Sequence, residues 1–229
     1  MKNRVRVALI GARGRMGQTI VDLAKGDPTI DIVAECDLGD AIDVAMKGCD
    51  VAIEFSNASA IEEVCAAATK DRNALVIGTT GHSAEQRQLI ESAAKSLPIV
   101  FASNFSVGVN ALFALTRRAA EILGSEFKPE IVETHHTKKK DAPSGTAKTL
   151  GEILKRELNL DVLIESIREG DVVGQHTVTF VGPAECLELT HRAGSREIFG
   201  SGALRAAKWV IGKSPGLYSM QDVLGISSK

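Results

Sequence analysis

The chain has 229 residues, 44% hydrophobic and 24% charged, with a formal net charge of -2. That length holds one large domain or two modest ones, and the ordinary composition argues against a disordered or fibrous chain. The near-neutral balance excludes a global basic field for nucleic acid or a membrane surface, so any anion-binding potential must be local. Cys36, Cys49, Cys65 and Cys186 form no C-x-x-C pair and show no metal spacing with histidine, so buried reduced thiols are expected. Val5–Ile10 is too short for a secretory leader and no run reaches membrane-span length, which points to the cytoplasm.

Val5–Ile10 (VRVALI) is a short apolar, β-branched run typical of a buried strand. The turn Gly11–Gly17 (GARGRMG) follows, and Gln18–Lys25 carries Ile20, Leu23 and Ala24 at helical spacing before Gly26 and Pro28. Further strands are expected at Ile30–Glu35, Asp50–Phe55, Ala74–Thr79 and Ile99–Ala102, with helices at Ala58–Lys70 and Ala84–Lys95. Strict alternation of strand and helix predicts a parallel sheet with helices on both faces. After a glycine-bearing segment, Asn104–Asn110, the pattern changes, which sets a domain boundary near Ser106. Helices are expected at Val109–Leu123 and Thr146–Leu158, and a strand at Ile131–Thr137. Asp161–Arg168, His176–Val181 and Glu185–Arg192 alternate like antiparallel strands, and Ala203–Ile211 and Leu217–Leu224 read as helices. The fold class is α/β: a parallel-sheet nucleotide-binding domain plus a smaller α+β domain.

Gly11, Gly14 and Gly17 lie between the first strand and the first helix, where backbone amides can take a pyrophosphate. The spacing is G-x-x-G-x-x-G, with Ala12 in place of the usual first glycine of the looped pair. An acid at the end of the second strand would accept from the adenosine ribose. Glu35 and Asp37 are candidates, and strand-end placement favours Asp37. Such an acid favours NAD, whereas Arg13 or Arg15 could lie over the adenine or meet a 2′-phosphate, so dual cofactor use is open. Gly78-Thr79-Thr80-Gly81 and Ala102-Ser103-Asn104-Phe105 end the fourth and fifth strands, the carboxyl edge where open α/β sheets bind ligands.

Glu133–Thr146 (ETHHTKKKDAPSGT) concentrates chemistry: His135 and His136, then Lys138–Lys140, then Pro143 and Ser144 opening a helix. Imidazole suits proton transfer near neutral pH, and the amides of Ser144, Gly145 and Thr146 are placed for an anion. Neighbouring residues of a strand face opposite sides, so His135 and His136 should have different tasks. For the same reason they do not readily ligate one ion, and no Cys/Asp/Glu set in the sequence completes a site, so no metal is expected.

Together with Gly11–Gly17, Gly78–Gly81, Asn104–Asn110 and His191–Trp209 (HRAGSREIFGSGALRAAKW), this segment resembles the 4-hydroxy-tetrahydrodipicolinate (dihydrodipicolinate) reductase family over nearly the whole chain. The resemblance implies a Rossmann-like nucleotide-binding domain and a substrate-binding, tetramerising domain with a mixed or antiparallel open sheet. It also returns the C-terminal segment to the first domain, giving residues 1–106 with 206–229, and 107–205. By the same resemblance, Gly11, Ala12, Arg13, Gly14, Arg15 and Met16 bind the dinucleotide and Asp37 the adenosine ribose. Gly78, Thr79, Thr80, Ala102, Ser103, Asn104 and Phe105 would line the nicotinamide. His135 becomes the proton donor/acceptor and Lys139 a second proton donor, while His136, Gly145 and Thr146 hold the substrate carboxylates. Lys138 and Lys140 stay solvated charges. Leu38 stands where relatives often carry an arginine, which tilts the choice between NADPH and NADH toward NADH. The implied partners are a small dicarboxylate and other copies of the chain in a homotetramer.

Overall fold

A computed structural model describes residues 4–226. They fall into two compact units, residues 4–106 with Glu197–Gly225, and Val107–Arg196 with Ile226. Residues 1–3 and 227–229 of the expected nucleotide-binding domain lie outside the described residues.

The first unit contains β1 (Val5–Ile10), α1 (Arg15–Lys25), β2 (Ile30–Cys36), α2 (Ile42–Ala45), β3 (Val51–Glu54), α3 (Ile61–Asp71), β4 (Ala74–Ile77), α4 (Ala84–Ala93) and β5 (Pro98–Phe101). After the second unit the chain returns with α7 (Glu197–Val210), β10 (Gly216–Tyr218) and α8 (Met220–Leu224). Its six strands are all parallel, in the order β10-β5-β4-β3-β1-β2. Helices cover both faces, so β3 (VAIE) and β4 (ALVI) are buried at every position. Alternate residues of β1 feed two cores: Val7 and Leu9 join Ile20, Ile53, Val76 and Ala207, while Ala8 and Ile10 join Ile61, Leu75 and Ile90. Each of the larger side chains contributes about 1.5–3 kcal/mol by leaving water.

The structure corrects several expectations here. Helix α1 begins at Arg15, not Gln18, because Gly14 takes the extended N-cap conformation. The expected return at Ala206 falls inside α7, and the whole helix from Glu197 belongs to the first unit. Close packing of that helix needs Gly202, where a Cβ would land on the carbonyl of Phe105. Leu217–Leu224 is not one helix: Gly216–Tyr218 adds to the sheet edge beside β5, and Ser219 then opens α8 through a capping box with Asp222. Cys36, Cys49 and Cys65 are buried, and burial pushes the Cys49 and Cys65 thiols up to about 11, but Cys186 is exposed. It starts an edge strand of the second unit.

That unit contains α5 (Val107–Leu123), β6 (Lys128–His135), α6 (Gly145–Leu158), β7 (Ile164–Arg168), β8 (Gly174–Val181) and β9 (Cys186–Ala193). The sheet order is β7-β6-β8-β9. Strand β7 is shorter than Asp161–Arg168 and runs parallel to β6, where an antiparallel strand was expected. The reason is α6, a helical crossover that brings the chain back to the same end of the sheet. The other pairings are antiparallel. Leu112, Phe113, Leu150 and Leu154 pack with Ile131, Val178 and Phe180 to cover one face. The opposite face is polar: Thr177 and Thr190 meet at 3.0 Å, and Arg192 donates to Gln175 at 2.9 Å. Among the described residues no helix is long and apolar enough to cross a membrane.

Candidate functional site

The glycine loop is a tight structure. Gly11 has φ +87°, a conformation glycine adopts freely, and a Cβ there would land on the carbonyl of Phe55 at the end of β3. A Cβ at Gly17 would land on the carbonyls of Gly11 and Ala12, so glycine lets α1 sit on its own loop. The Gly14 N-cap carries no side-chain cap and no acid lies in the first turn of α1, which leaves the helix N-terminus suited to an anion. Of the two candidate acids, Asp37 is joined to this loop: its Oδ2 accepts from the Arg13 amide at 2.7 Å and its Oδ1 from the Leu38 amide at 2.8 Å. These bonds hold its carboxyl below the usual range. The Arg13 guanidinium turns to Asp40 at 2.9 Å, while Arg15 is exposed and Met16 half-buried.

The two expected nicotinamide segments follow β4 and β5. Gly78 leaves room for the Phe55 ring. Thr79 donates to Glu54 Oε1 at 2.6 Å and accepts from the Ser56 amide at 2.9 Å, while Thr80 and Ser103 are exposed. Phe105 is 2% exposed and packs on Phe55 at 5.6 Å, so its ring belongs to the core and only its main chain can face a ligand. Ala102 and Asn104 are half-buried, and Asn104 Oδ1 accepts from the Ser106 amide at 2.8 Å.

In the second unit the pleat assembles what the sequence spreads out. Ile131, Glu133 and His135 alternate onto the helix-covered face of β6. Register places Ser166 of β7 and His176 of β8 beside Glu133, and His191 of β9 beside His176, so one row crosses the whole sheet. In the next row, Arg168 sits beside His135.

Glu133 is fully buried. Its Oε1 accepts from the Ser144 amide at 3.0 Å, Ser166 Oγ at 2.8 Å and Arg168 Nη2 at 3.1 Å. Burial alone would raise this carboxyl, but the Ser144, Ser166 and Arg168 bonds outweigh it and hold it below the usual range. Its Oε2 faces His135 Nδ1 at 3.4 Å and His176 Nε2 at 3.7 Å. The two rings meet edge-on at 5.0 Å, and His176 Nε2 lies 3.2 Å from Ser144 Oγ. Burial pushes both imidazoles down, that of His176 to about 4. Lys139 pairs with Asp141 at 2.8 Å, and the Arg168 guanidinium donates to the carbonyls of Lys139 and Asp141, which fixes the lysine loop beside His135.

Lys139 lies close enough to His135 to act on its charge, while its ammonium pairs with Asp141. His136 leaves the strand end half-buried with its amide bonded to the Val172 carbonyl at 2.7 Å, while Lys138 and Lys140 are exposed. Two expectations are corrected. The Ser144 amide serves the protein's own carboxylate rather than a ligand, so the anion-ready start of α6 reduces to Gly145 and Thr146. A carboxylate does stand with two histidines, since Glu133, His135 and His176 bring ligand-type atoms within 4.8 Å of one another. Cross-strand register, invisible in linear spacing, makes that group. Ser166, Arg168, His176 and Gly174 were not singled out from sequence; the only signal was that His176 is one of five histidines and falls on a half-buried strand pattern.

Comparison with known proteins adds to this geometry. Residues 5–105 match the model of the dihydrodipicolinate reductase N-terminus, and residues 108–224 that of its C-terminus. A 4-hydroxy-tetrahydrodipicolinate reductase of Akkermansia muciniphila is 46% identical over 97% of this chain and 99% of its own length. One from Methanoculleus marisnigri is 42% identical over 97% and 100%. A dipicolinate-bound dihydrodipicolinate reductase from Paenisporosarcina sp. TG-14 shares the fold, with a TM-score of 0.80 at 22% identity over 96% of this chain and 98% of that one. Two matching halves and relatives aligned end to end lead to one conclusion: the chain belongs to the 4-hydroxy-tetrahydrodipicolinate reductase family.

Proposed function

We propose that this protein reduces 4-hydroxy-tetrahydrodipicolinate to tetrahydrodipicolinate in the cytoplasm, as a step of lysine and diaminopimelate biosynthesis, with NADH favoured over NADPH. The observation that carries the reading is His135, an almost buried imidazole held beside Lys139 at the heart of the family's motif. The dinucleotide fits the first unit: an uncapped helix N-terminus, a loop without room for side chains at Gly11 and Gly17, and an acid tied to that loop. Gly11, Ala12, Arg13, Gly14, Arg15 and Met16 hold its phosphates, Asp37 its ribose, and Gly78, Thr79, Thr80 and Ala102–Phe105 its nicotinamide end. Loss of the 4-hydroxyl as water leaves a conjugated C=C–C=N system, and the reduced nicotinamide, when bound, would supply hydride to its C4 end. His135 exchanges the accompanying proton, with Lys139 as second donor. His136, Gly145 and Thr146 hold the two carboxylates and so orient the acceptor carbon.

The cofactor preference follows from charge. Asp37 and Asp40 both stand at the ribose end, Arg13 is already paired with Asp40, and Leu38 supplies no cation for a 2′-phosphate. The polar, half-exposed face of the second sheet is the surface through which a homotetramer forms. The deciding assay follows cofactor oxidation with synthase-generated substrate, for wild type, His135→Ala and Lys139→Ala. The expected result is robust wild-type turnover and losses of roughly 10²-fold or more in each variant. An inactive wild type, or variants as fast as it, refutes the assignment.

A further inference from the structure

We propose that Glu133 is a positioning residue of this reaction, a buried carboxylate that fixes the His135 proton on Nδ1 and thereby leaves Nε2 to exchange a proton with the substrate. This deepens the preceding reading, since it rests on His135 as the proton-handling group.

The two oxygens of Glu133 have separate tasks. Oε1 takes three donors, from Ser144, Ser166 and Arg168. Oε2 is sealed from solvent and has no hydrogen-bond partner among the described residues; the same holds for His135 Nδ1. These two orphaned atoms face one another at 3.4 Å, a separation that a shift of a few tenths of an ångström converts into a hydrogen bond. Catalytic hydrogen bonds are commonly long before substrate arrives. A carboxylate can only accept, so the tautomer that satisfies both atoms carries its hydrogen on Nδ1.

The neighbours support that assignment. His176 also approaches Oε2, at 3.7 Å, but its Nε2 already has the Ser144 hydroxyl at 3.2 Å. Its ring, edge-on to His135, limits rotation of the imidazole. On the far side, Gly174 of β8 lies against Nε2: a Cβ there would sit 3.1 Å from that atom. The strand therefore offers a side-chain-free position opposite the nitrogen left for chemistry. The charged and titratable groups around His135 are Glu133 on its own strand, Arg168 on β7, His176 on β8, and Lys139 and Asp141 in the loop. The two carboxylates favour imidazolium; Lys139 and Arg168 oppose it.

Glu133 also spans two parts of the reaction. The amide it receives belongs to Ser144, the N-cap of α6, whose next residues are Gly145 and Thr146. One side chain thus sets the spacing between the proton-handling ring and the helix start assigned to substrate carboxylates.

Glu133→Gln separates these effects. The three donors at Oε1 require the amide oxygen there, which points the amide NH2 at His135 Nδ1 and drives the ring to the opposite tautomer. Nitrogen-15 NMR of histidine-labelled protein reads this directly, without substrate. The expected pattern is Nδ1–H for His135 in wild type and Nε2–H in Glu133→Gln, with unchanged dinucleotide affinity by fluorescence titration. Turnover is expected to fall roughly 10²-fold with the substrate KM within about threefold, and the limb of the kcat–pH profile that reports His135 moves to lower pH. Nε2–H in wild type overturns the proposal even if the variant fails to fold. So does a loss confined to KM, or a chelator-sensitive wild type restored by Zn2+, which would make the group a metal centre. An inactive wild type with the Nδ1–H pattern instead refutes the proposed reaction and leaves the role of Glu133 standing.

Discussion

Gly174→Ala tests the geometry at His135 Nε2, the nitrogen proposed to exchange the proton, with a single methyl group. Gly174 does not use a left-handed backbone conformation, so alanine meets no backbone strain. Its Cβ would lie 3.1 Å from His135 Nε2, 3.4 Å from Cδ2 and 3.8 Å from His176 Cε1. The first of these is tighter than ordinary van der Waals contact, so the ring must withdraw by a few tenths of an ångström. Overpacking of this kind costs about 1–3 kcal/mol. Separately, misplacing the ring slows turnover, roughly 10-fold or more, since an error of about 1 Å in a reacting group can cost about 10²-fold. The assay is steady-state cofactor oxidation, with dinucleotide affinity and a thermal melt as controls. The expected outcome is reduced kcat, unchanged dinucleotide binding, and a Tm lowered by no more than about 4 °C per kcal/mol. Wild-type turnover together with a wild-type melt would refute the crowding of Nε2.

Leu38→Arg places a cation beside Asp37 at a side chain that is 96% exposed, so stability should hold while KM for NADPH falls about tenfold, the worth of one charge-assisted hydrogen bond. An unchanged NADPH/NADH ratio in initial-rate assays counts against that placement of the ribose. Gly17→Ala forces a methyl onto two loop carbonyls, with an expected destabilisation of about 2 kcal/mol or more and loss of dinucleotide binding. Normal titration and melting curves would show that the loop is looser than described. Finally, His176 titrates near 6.5 when unfolded but at about 4 in place, so the unfolded chain binds more protons between those values and stability declines as pH falls through that window. The full effect is on the order of 3 kcal/mol at the acid end, and Glu133, whose carboxyl is held low, adds a further loss as pH drops through its own folded value. Urea melts across that range check this; a flat profile contradicts it.

Most of the first unit was legible because a parallel strand covered on both faces must be a continuous apolar run, as Val5–Ile10 and Ala74–Ile77 are. The failures were elements too short to carry a period: the three residues of Gly216–Tyr218 merged with the helix after them. At the candidate site, His135, Lys139 and Gly145 could be proposed from sequence because they share one contiguous segment. Glu133 lies in that segment too, yet its role depends on Ser166 and Arg168, 33 and 35 residues away. The intervening helix makes β7 parallel, and that register cannot be counted off a linear sequence. The burial of Cys186 was misjudged for a related reason, since an edge position is a property of sheet order.

The row of side chains across the second sheet ties its chemistry to its folding. Glu133 and His176 meet only because Ile131 and Val178 are partners in the same ladder and both sink into the core. A slip of one residue would turn Glu133 outward and bury Thr134 or Val132, emptying the core and dispersing the Glu133–His135–His176 cluster in one movement. Whatever preserves the apolar interior of this unit therefore also preserves the spacing of Glu133, His135 and His176.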